Sequence, residues 1–161
     1  MLQHTRRFLI SYRYLFMQWY LKSFNDFTLS ELYSMLRLRA EVFIVEQEAA
    51  YQDVDNKDQK AKHLYAFENG EVIAYTRIFK AGDYFDKASV GRVVVKPSHR
   101  YLGLGHELMK RSLEYTDKNN YGSLHISAQT YLQKFYEGYG FKVVTDQYLE
   151  DGLPHYGMDR A

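Results

Sequence analysis

The sequence VVVKPSHRYLGLGH, residues 93–106, contains the pattern that decides the fold. A valine-rich segment ends at Pro97, which cannot donate to a strand ladder, and Gly103 and Gly105 stand where a helix begins. Glycines at a helix N-terminus let unpaired backbone N–H groups approach an anion such as a pyrophosphate, and Arg100 adds a full positive charge. The stretch therefore predicts a strand, a phosphate-binding loop and a helix. The alternative is a purely structural turn with glycines at the helix start.

Two other nucleotide-binding motifs do not match this stretch. A dinucleotide fingerprint needs a third glycine or alanine near Leu108 and a turn directly after the strand, whereas six residues separate Lys96 from Gly103. A Walker loop needs the sequence Gly-Lys-Ser/Thr, which does not occur here. Neither motif explains the two glycines.

The segments on either side predict an α+β domain. Thr28, with Glu31 three residues later, forms a capping box, and Asn69-Gly70 is a two-residue hairpin signal. Hydrophobic periodicity predicts helices at 29–45, 103–118 and 130–139, and strands at 17–23, 63–68, 71–80, 88–96, 121–128, 141–149 and 154–160. The segment 51–62 has no apolar period and is predicted to be a loop that borders a site.

The composition limits the classes of protein. A chain of 161 residues with 46% apolar residues has the size of one domain, and a formal net charge of +1 indicates neither a nucleic-acid nor a membrane partner. The absence of cysteine excludes a disulfide framework and a thiolate zinc site, and fits a cytoplasmic location. The apolar segment 8–24 is interrupted by Arg13 and Lys22, so we expect neither a membrane span nor a signal peptide.

Several motifs together resemble one enzyme family. The spacing Arg100-x-x-Gly103-x-Gly105, after a valine-rich strand and a proline, resembles the acetyl-CoA motif of the GNAT superfamily of N-acetyltransferases. The sequence FYEGYGF at 135–141 looks like the second motif of that family. The sequences LRAEVFIVEQ at 38–47, YQDVD at 51–55 and EDGLPH at 150–155 resemble the ElaA-like branch. The resemblance covers about residues 17–160.

The resemblance implies a fold and a co-substrate. The expected fold is a mixed, mostly antiparallel sheet of six to seven strands, splayed between the fourth and fifth strands, with helices on both faces. Residues 17–161 would form this domain, and residues 1–16 would be an N-terminal extension that the fold does not need. Acetyl-CoA would be the acetyl donor, with no metal, and Gln129 departs from the asparagine that many relatives have at that position. The implied coenzyme-binding residues are Val93, Val94, Val95, Arg100, Tyr101, Leu102, Gly103, Leu104, Gly105, His106, Gln129 and Tyr136.

The chemistry of acetyl transfer requires a base and an acid. A lysine-like amine has a pKa near 10.4 and is almost wholly protonated at neutral pH, so a base must remove a proton before attack. The elements that border the acceptor cleft in the resembling fold carry four candidates: Glu46 and His155, which we favour, and His63 and Asp53. Tyr136 is the candidate acid for the departing thiolate; the alternative is an aromatic residue packed at a helix–strand corner.

The sequence thus predicts an N-acetyltransferase that acts on a small amine, a polyamine or a peptide amine. The alternative is a non-catalytic module of the same fold that binds acyl-CoA or senses a metabolite. A nucleic-acid binder is disfavoured because the basic residues do not cluster apart from the segment 4–13. The acceptor and the oligomeric state stay open, and a homodimer is compatible with the sequence.

Overall fold

The structure is a computed structural model, and it describes residues 17–161, so the predicted extension 1–16 lies outside the described residues. The described segment contains three α-helices, α1 (Leu29–Arg39), α2 (Leu104–Lys118) and α3 (Gln133–Glu137). A π-helical segment, Ala40–Glu46, continues α1. The strands of this segment are β1 (Gln18–Ser23), β2 (Lys62–Glu68), β3 (Glu71–Phe79), β4 (Ala88–Val95), β5 (Leu124–Gln129), β6 (Lys142–Val143), β7 (Tyr148–Glu150) and β8 (Leu153–Arg160).

The strands form one mixed sheet in the order β1-β2-β3-β4-β5-β8-β6, and β7 also pairs with β8. The β4–β5 pair is parallel and the other pairs are antiparallel. The predicted α+β class and mixed sheet are confirmed. Residues 17–161 hold eight strands rather than six or seven, because the strand predicted at 141–149 is interrupted.

The interruption occurs where a side chain replaces a ladder hydrogen bond. Thr145 Oγ1 accepts a hydrogen bond from the Gly157 N–H at 2.8 Å, and the Val144 N–H donates to the Gly157 carbonyl. A Cβ atom on Gly157 would lie 2.7 Å from the Thr145 methyl group, so the glycine makes this contact possible. The chain therefore leaves β8 after β6 and rejoins it as β7.

The sheet opens between β4 and β5. Within residues 17–161 these strands pair at two positions, Ala88 with Leu124 and Ser89 with His125, and then separate. A β-bulge follows in β4, where Arg92 has a φ of 55° and the register with β3 shifts. Bulges bend a strand and increase its twist, so the bulge directs the remainder of β4 away from β5. The predicted splay is confirmed.

The two faces of the sheet are covered by different helices. The α1 face buries Met35, Leu38, Val42, Tyr65, Val72, Tyr75 and Val94. The α2 face buries a larger set that includes Leu64, Ile73, Ile78, Val90, Leu104, Leu108, Met109, Leu113, Ile126 and Phe141. Neighbouring residues of one strand, such as Leu64 and Tyr65, belong to opposite sets, as the alternation of a strand requires. Helices on both faces are therefore confirmed.

A buried ion-pair network lies below the bulge. Arg39 has no exposed surface and donates to the Asp53 and Asp58 carboxylates at 2.9 and 2.8 Å. Arg92 donates to the other oxygen of Asp53 at 2.7 Å, and the buried Arg77 donates to Asp58 at 2.9 Å. Buried charges persist when they are paired, so the loop 51–62 supplies the carboxylates that hold Arg92 at the bulge.

The capping box at the start of α1 leads to a stability prediction. Burial alone would raise the pKa of Glu31, but hydrogen bonds from Lys22, Thr28 and Tyr65 lower it to about 2. A lowered pKa means that the ionised carboxylate stabilises the fold above about pH 4.5, and that this stabilisation is lost as the pH falls toward 2. We expect Glu31→Gln to reduce the free energy of unfolding by about 2 kcal/mol at pH 7, and by progressively less between pH 4.5 and pH 3.

Urea denaturation of both proteins across this pH range measures the difference. Glu114→Gln on the exposed side of α2 is the matched control, and we expect it to change the stability by less than about 0.5 kcal/mol. A difference between wild type and Glu31→Gln that is constant from pH 7 to pH 3 would contradict the prediction.

Candidate active site

A cleft of about 530 Å³ occupies the opening between β4 and β5. The π-helical segment after α1 forms one wall, and β5 with the β7–β8 hairpin forms the other. Its lining residues are Val42, Phe43, Glu46, Gln47, Val90, Gly91, Arg92, Val93, Val94, Val95, Arg100, Tyr101, Ile126, Ser127, Gln129, Tyr131, Leu132, Tyr136, Glu150 and His155.

The glycine loop lies beside this cleft. Gly103 is the N-cap of α2 and has a φ of 79°, a left-handed conformation that glycine adopts without strain. The first turn of any helix carries N–H groups without intrahelical partners. Because Gly103 has no side chain, a ligand in the cleft can approach these groups closely. The predicted strand, loop and helix are therefore present in this order.

The coenzyme-binding residues inferred from sequence fall into two groups. Those that line the cleft are Val93, Val94, Val95, Arg100, Tyr101, Gln129 and Tyr136. The remaining ones continue from the cleft into α2, namely Leu102, Gly103, Leu104, Gly105 and His106. The Leu104 side chain is in the core and the His106 ring contacts the Tyr139 hydroxyl, so this second group can offer its backbone to a ligand.

The edge of β4 that faces β5 suits an extended ligand. From 90 to 95, β4 has no strand partner on this side among the described residues, although β3 pairs with its other edge. Backbone donors and acceptors along a free edge can pair with an extended chain. A pantetheine arm is such a chain, and the N–H groups at the adjacent helix start can donate to phosphate oxygens. The residues present therefore fit a coenzyme A thioester.

The end of the π-helical segment contacts both sides of the cleft. Glu46 accepts a hydrogen bond from Arg100 at 2.8 Å, and the next residue, Gln47, accepts one from Gln129 Nε2 at 3.0 Å. The structure thus joins the predicted base Glu46 to the predicted phosphate-binding Arg100. Two of the predicted coenzyme-binding side chains, Arg100 and Gln129, therefore pair with the end of the π-helical segment.

Tyr136 lies in the cleft with its ring packed edge-on against Phe135 and Phe141. The residue is 7% exposed, and its hydroxyl has no hydrogen-bond partner within residues 17–161. Burial raises the pKa of the Tyr136 hydroxyl well above its usual range, so the group keeps its proton. The packing is that of a core aromatic, while the hydroxyl stays available to a ligand.

His155 also borders the cleft, and its ring is stacked on Tyr148. Nδ1 lies 2.8 Å from the Leu153 carbonyl, which can accept but not donate, so Nδ1 carries the proton. In the neutral ring the lone pair is then on Nε2, for which the described residues provide no hydrogen-bond partner. His155 therefore has the tautomer that a general base needs.

The structure does not place the other two base candidates in the cleft. His63 is fully buried, accepts a hydrogen bond from the Tyr75 hydroxyl at Nδ1 and donates from Nε2 to the Asp58 carbonyl. Burial lowers the pKa of His63, and neither nitrogen is free. Asp53 is held between Arg39 and Arg92. Both residues have structural contacts and neither lines the cleft, so Glu46 and His155 are the two base candidates that do.

Some cleft residues were missed from sequence, among them Phe43, Arg92, Ser127 and Glu150. The sequence did contain a signal for Arg92, a charged residue within a valine-rich strand. Such a residue is typical of a β-bulge, where one extra residue interrupts the alternation of the strand. Ser127 pairs with Gly157, which is distant in sequence, and its hydrogen bond to Glu150 joins residues 23 positions apart. The motif EDGLPH includes Glu150 but gave it no role, and no local pattern identified Ser127.

This architecture, a mixed sheet that opens beside a glycine-capped helix, is that of the GNAT acyltransferases. Residues 26–161 match the acetyltransferase (GNAT) domain family, and the chain belongs to that family. Within it, the chain is similar to Protein ElaA of Escherichia coli, with 40% identity over 84% of this chain and 91% of ElaA. It is also 42% identical to a UPF0039 protein of Schizosaccharomyces pombe, over 85% of this chain and 92% of that protein.

Solved structures agree with this assignment. The crystal structure of an acyl-CoA N-acyltransferase from Pseudomonas aeruginosa superposes with a TM-score of 0.84 and 43% identity, covering 89% of this chain and 99% of that chain. The crystal structure of Escherichia coli ElaA gives a TM-score of 0.83 with 38% identity, over 90% and 99% of the two chains. The ElaA-like branch suggested by the sequence motifs is confirmed.

In residues 17–161 no helix has the length and apolar character needed to cross a membrane.

Proposed function

We propose that this protein is a cytoplasmic N-acetyltransferase that moves the acetyl group of acetyl-CoA onto a primary amine by direct attack of the amine on the thioester. The observation that carries the proposal is the cleft between β4 and β5, which brings three features together: a strand edge and a Tyr136 hydroxyl that have no partner within residues 17–161, and a glycine-capped helix start. Membership of the GNAT family supports it.

The coenzyme half of the cleft is formed by β4 and the start of α2. The backbone of Val93 and Val95 offers pairing groups to the pantetheine arm, and the loop from Arg100 to His106 offers charge and N–H donors to the pyrophosphate. Arg100 exchanges its Glu46 partner for phosphate oxygens. A backbone N–H at Val94 or Val95 stabilises the negative charge that develops on the carbonyl oxygen, a contact that contributes about 2.7–4 kcal/mol in other enzymes.

The proton transfers are assigned to two side chains. The thioester supplies the acetyl group; the amine nitrogen forms the new bond to the carbonyl carbon, and the carbon–sulfur bond breaks. His155 Nε2 accepts the proton that the amine loses, and the Tyr136 hydroxyl donates a proton toward the departing sulfur. Glu46 is the second candidate base, and its carboxylate is already paired with Arg100, whereas His155 Nε2 has no hydrogen-bond partner among the described residues.

A thiol-release assay with a panel of amines tests the proposal. Release of coenzyme A that depends on an amine, with an N-acetylated product identified by mass spectrometry, supports it. Tight binding of acetyl-CoA without turnover of any amine would instead support the alternative, a non-catalytic module that binds acyl-CoA.

The assignment of His155 leads to a pH-dependent prediction. We expect His155→Gln to reduce kcat/KM at pH 7 by about 10²-fold, because the variant lacks the group assigned to remove the amine proton. The deficit should shrink as the pH rises toward the pKa of the amine, near 10.4, since a larger fraction of the free amine is already neutral.

The measurement is kcat/KM from pH 6.5 to pH 9.5 for wild type and variant. His99→Gln, which replaces a histidine paired with Glu68 outside the cleft, is the control and should follow the wild-type profile. A deficit of equal size at every pH would show that His155 positions the substrate and does not accept its proton.

A further inference from the structure

The wall of the cleft formed by β5, β8 and β7 presents one row of side chains to the acceptor. In antiparallel pairs, directly opposed residues point to the same face of the sheet, and so do residues two apart in one strand. Gln129 is opposite His155, which is also opposite Tyr148. Ser127 and Glu150 each lie two residues from members of this row, so they share its face. The pairing register therefore places Ser127, Tyr148, Glu150 and His155 together.

Hydrogen bonds connect three of these side chains. The Ser127 hydroxyl donates to Glu150 Oε2, and the Tyr148 hydroxyl contacts the Ser127 oxygen. Because Ser127 has one hydroxyl proton and gives it to Glu150, Tyr148 is the donor in the second contact. Glu150 also precedes the tight turn Asp151-Gly152, whose residues both have positive φ. The carboxylate is thus held in one position, half-buried in the cleft wall.

The charged residues of the cleft differ in their partners. Glu46 and Arg100 pair with each other, and Arg92 pairs with Asp53 behind the wall. Glu150 also lines the cleft, but no lysine, arginine or histidine nitrogen within residues 17–161 lies within 4.0 Å of its carboxylate. A half-buried carboxylate without a positively charged partner is costly, and a cationic ligand would supply that partner. The cleft wall therefore has one unbalanced negative charge.

We infer that Glu150 binds a second positive charge of the acceptor, remote from the amine that is acetylated, so that the protein prefers diamines and other acceptors with two cationic groups. This inference rests on the proposed function. The reacting nitrogen must be neutral when it attacks, and a carboxylate beside it would favour its protonated form. Glu150 therefore holds a different cationic group of the same molecule, and Ser127 and Tyr148 fix the orientation of the carboxylate.

Two amines of equal carbon chain length test the inference, 1,4-diaminobutane and butylamine. For wild type we expect kcat/KM to be at least about tenfold higher for the diamine, as one ion pair in a partly buried site provides. Glu150→Gln should remove this preference through an increase of KM for the diamine, with butylamine changed less than about twofold. Glu150→Asp keeps the charge and should retain part of the preference.

The adjacent Asp151→Asn is the matched control. It removes the same charge from an exposed side chain of the same turn, and asparagine tolerates the positive φ of this position. We expect it to leave both amines unchanged. A diamine preference that falls equally in Glu150→Gln and Asp151→Asn would overturn the inference, because a general field effect would then explain it.

Two further outcomes would also overturn the inference. A wild type that acetylates both amines equally has no second cation site, and a Glu150→Gln variant that loses kcat on both amines identifies Glu150 as the base. Calorimetry with acetyl-CoA and with 1,4-diaminobutane separates this inference from the proposed function. If acetyl-CoA does not bind, the proposed function fails, whereas the inference fails if wild type binds the diamine no better than Glu150→Gln does.

Discussion

Replacing Gly103 by valine is expected to weaken acetyl-CoA binding by at least about a hundredfold, the equivalent of two charge-assisted hydrogen bonds at about 1.5 kcal/mol each. Gly103 has a φ of 79° at the N-cap of α2, where a β-branched residue is strained. No atom outside the neighbouring residues lies within 4 Å of a Cβ built at this glycine, so the effect comes from the backbone conformation and from the space above the loop. The valine moves the first N–H groups of α2 away from the phosphates.

Gly70→Val is a matched control for the strain. Gly70 also has a positive φ, 83°, and equally open surroundings, but it lies in the turn between β2 and β3. Both variants should lose about 1–3 kcal/mol of stability, while Gly103→Val alone loses affinity in calorimetry. Equal acetyl-CoA affinity in the two variants would show that the loop is a structural turn, the alternative considered from the sequence.

The second large effect is expected for Tyr136→Phe, which should lower kcat by about 10²-fold and leave the Kd of acetyl-CoA within about twofold. The phenylalanine retains the ring contacts with Phe135 and Phe141, and the hydroxyl it removes has no protein partner among the described residues. The stability should therefore change by less than about 1 kcal/mol. The burial that raises the pKa of Tyr136 also raises the proton affinity of a thiolate in the same site, because desolvation disfavours both anions.

Pre-steady-state kinetics of acetyl transfer measures the chemical step directly. Tyr115→Phe removes a hydroxyl that contacts Tyr121 away from the cleft, and it should leave kcat unchanged. If Tyr136→Phe raises the Kd of acetyl-CoA and keeps the wild-type kcat at saturation, the hydroxyl contributes to coenzyme binding and the thiolate takes its proton from another source.

Most helices, strands and turns were predicted from the sequence, because the signals for them lie in residues that are close together in the chain. The capping box of Thr28 and Glu31 is formed, and the Asn69-Gly70 turn has the positive φ values of a tight hairpin. The valine-rich strand and the helix after Gly103 lie close to their predicted bounds. The helix predicted at 29–45 continues over most of that range, but its hydrogen bonding changes to the π type from Ala40 onward.

Contacts between distant segments were not predicted from the sequence. His63 looked like an available base, yet its environment depends on Tyr75 and on the Asp58 carbonyl. The strand predicted at 141–149 is divided because Thr145 pairs with Gly157, twelve residues away. Ser127 and Glu150 meet through β8, and Glu46 meets Arg100 across the cleft. Most of these contacts join residues that are far apart in the chain. The sequence motifs do not indicate which distant residues come together.

The position of β8 in the sheet has a consequence for biosynthesis. Strands β5, β6 and β7 all pair with β8 and all precede it in the chain, so none of these pairs can form until the ribosome has released residues 153–160. The pairs β1–β2, β2–β3 and β3–β4 have no such requirement, because all four strands precede β5 in the chain. During synthesis, the partners of β4 on its β3 side are therefore available before β8, whereas β5 lacks its antiparallel partner until residues 153–160 have been made.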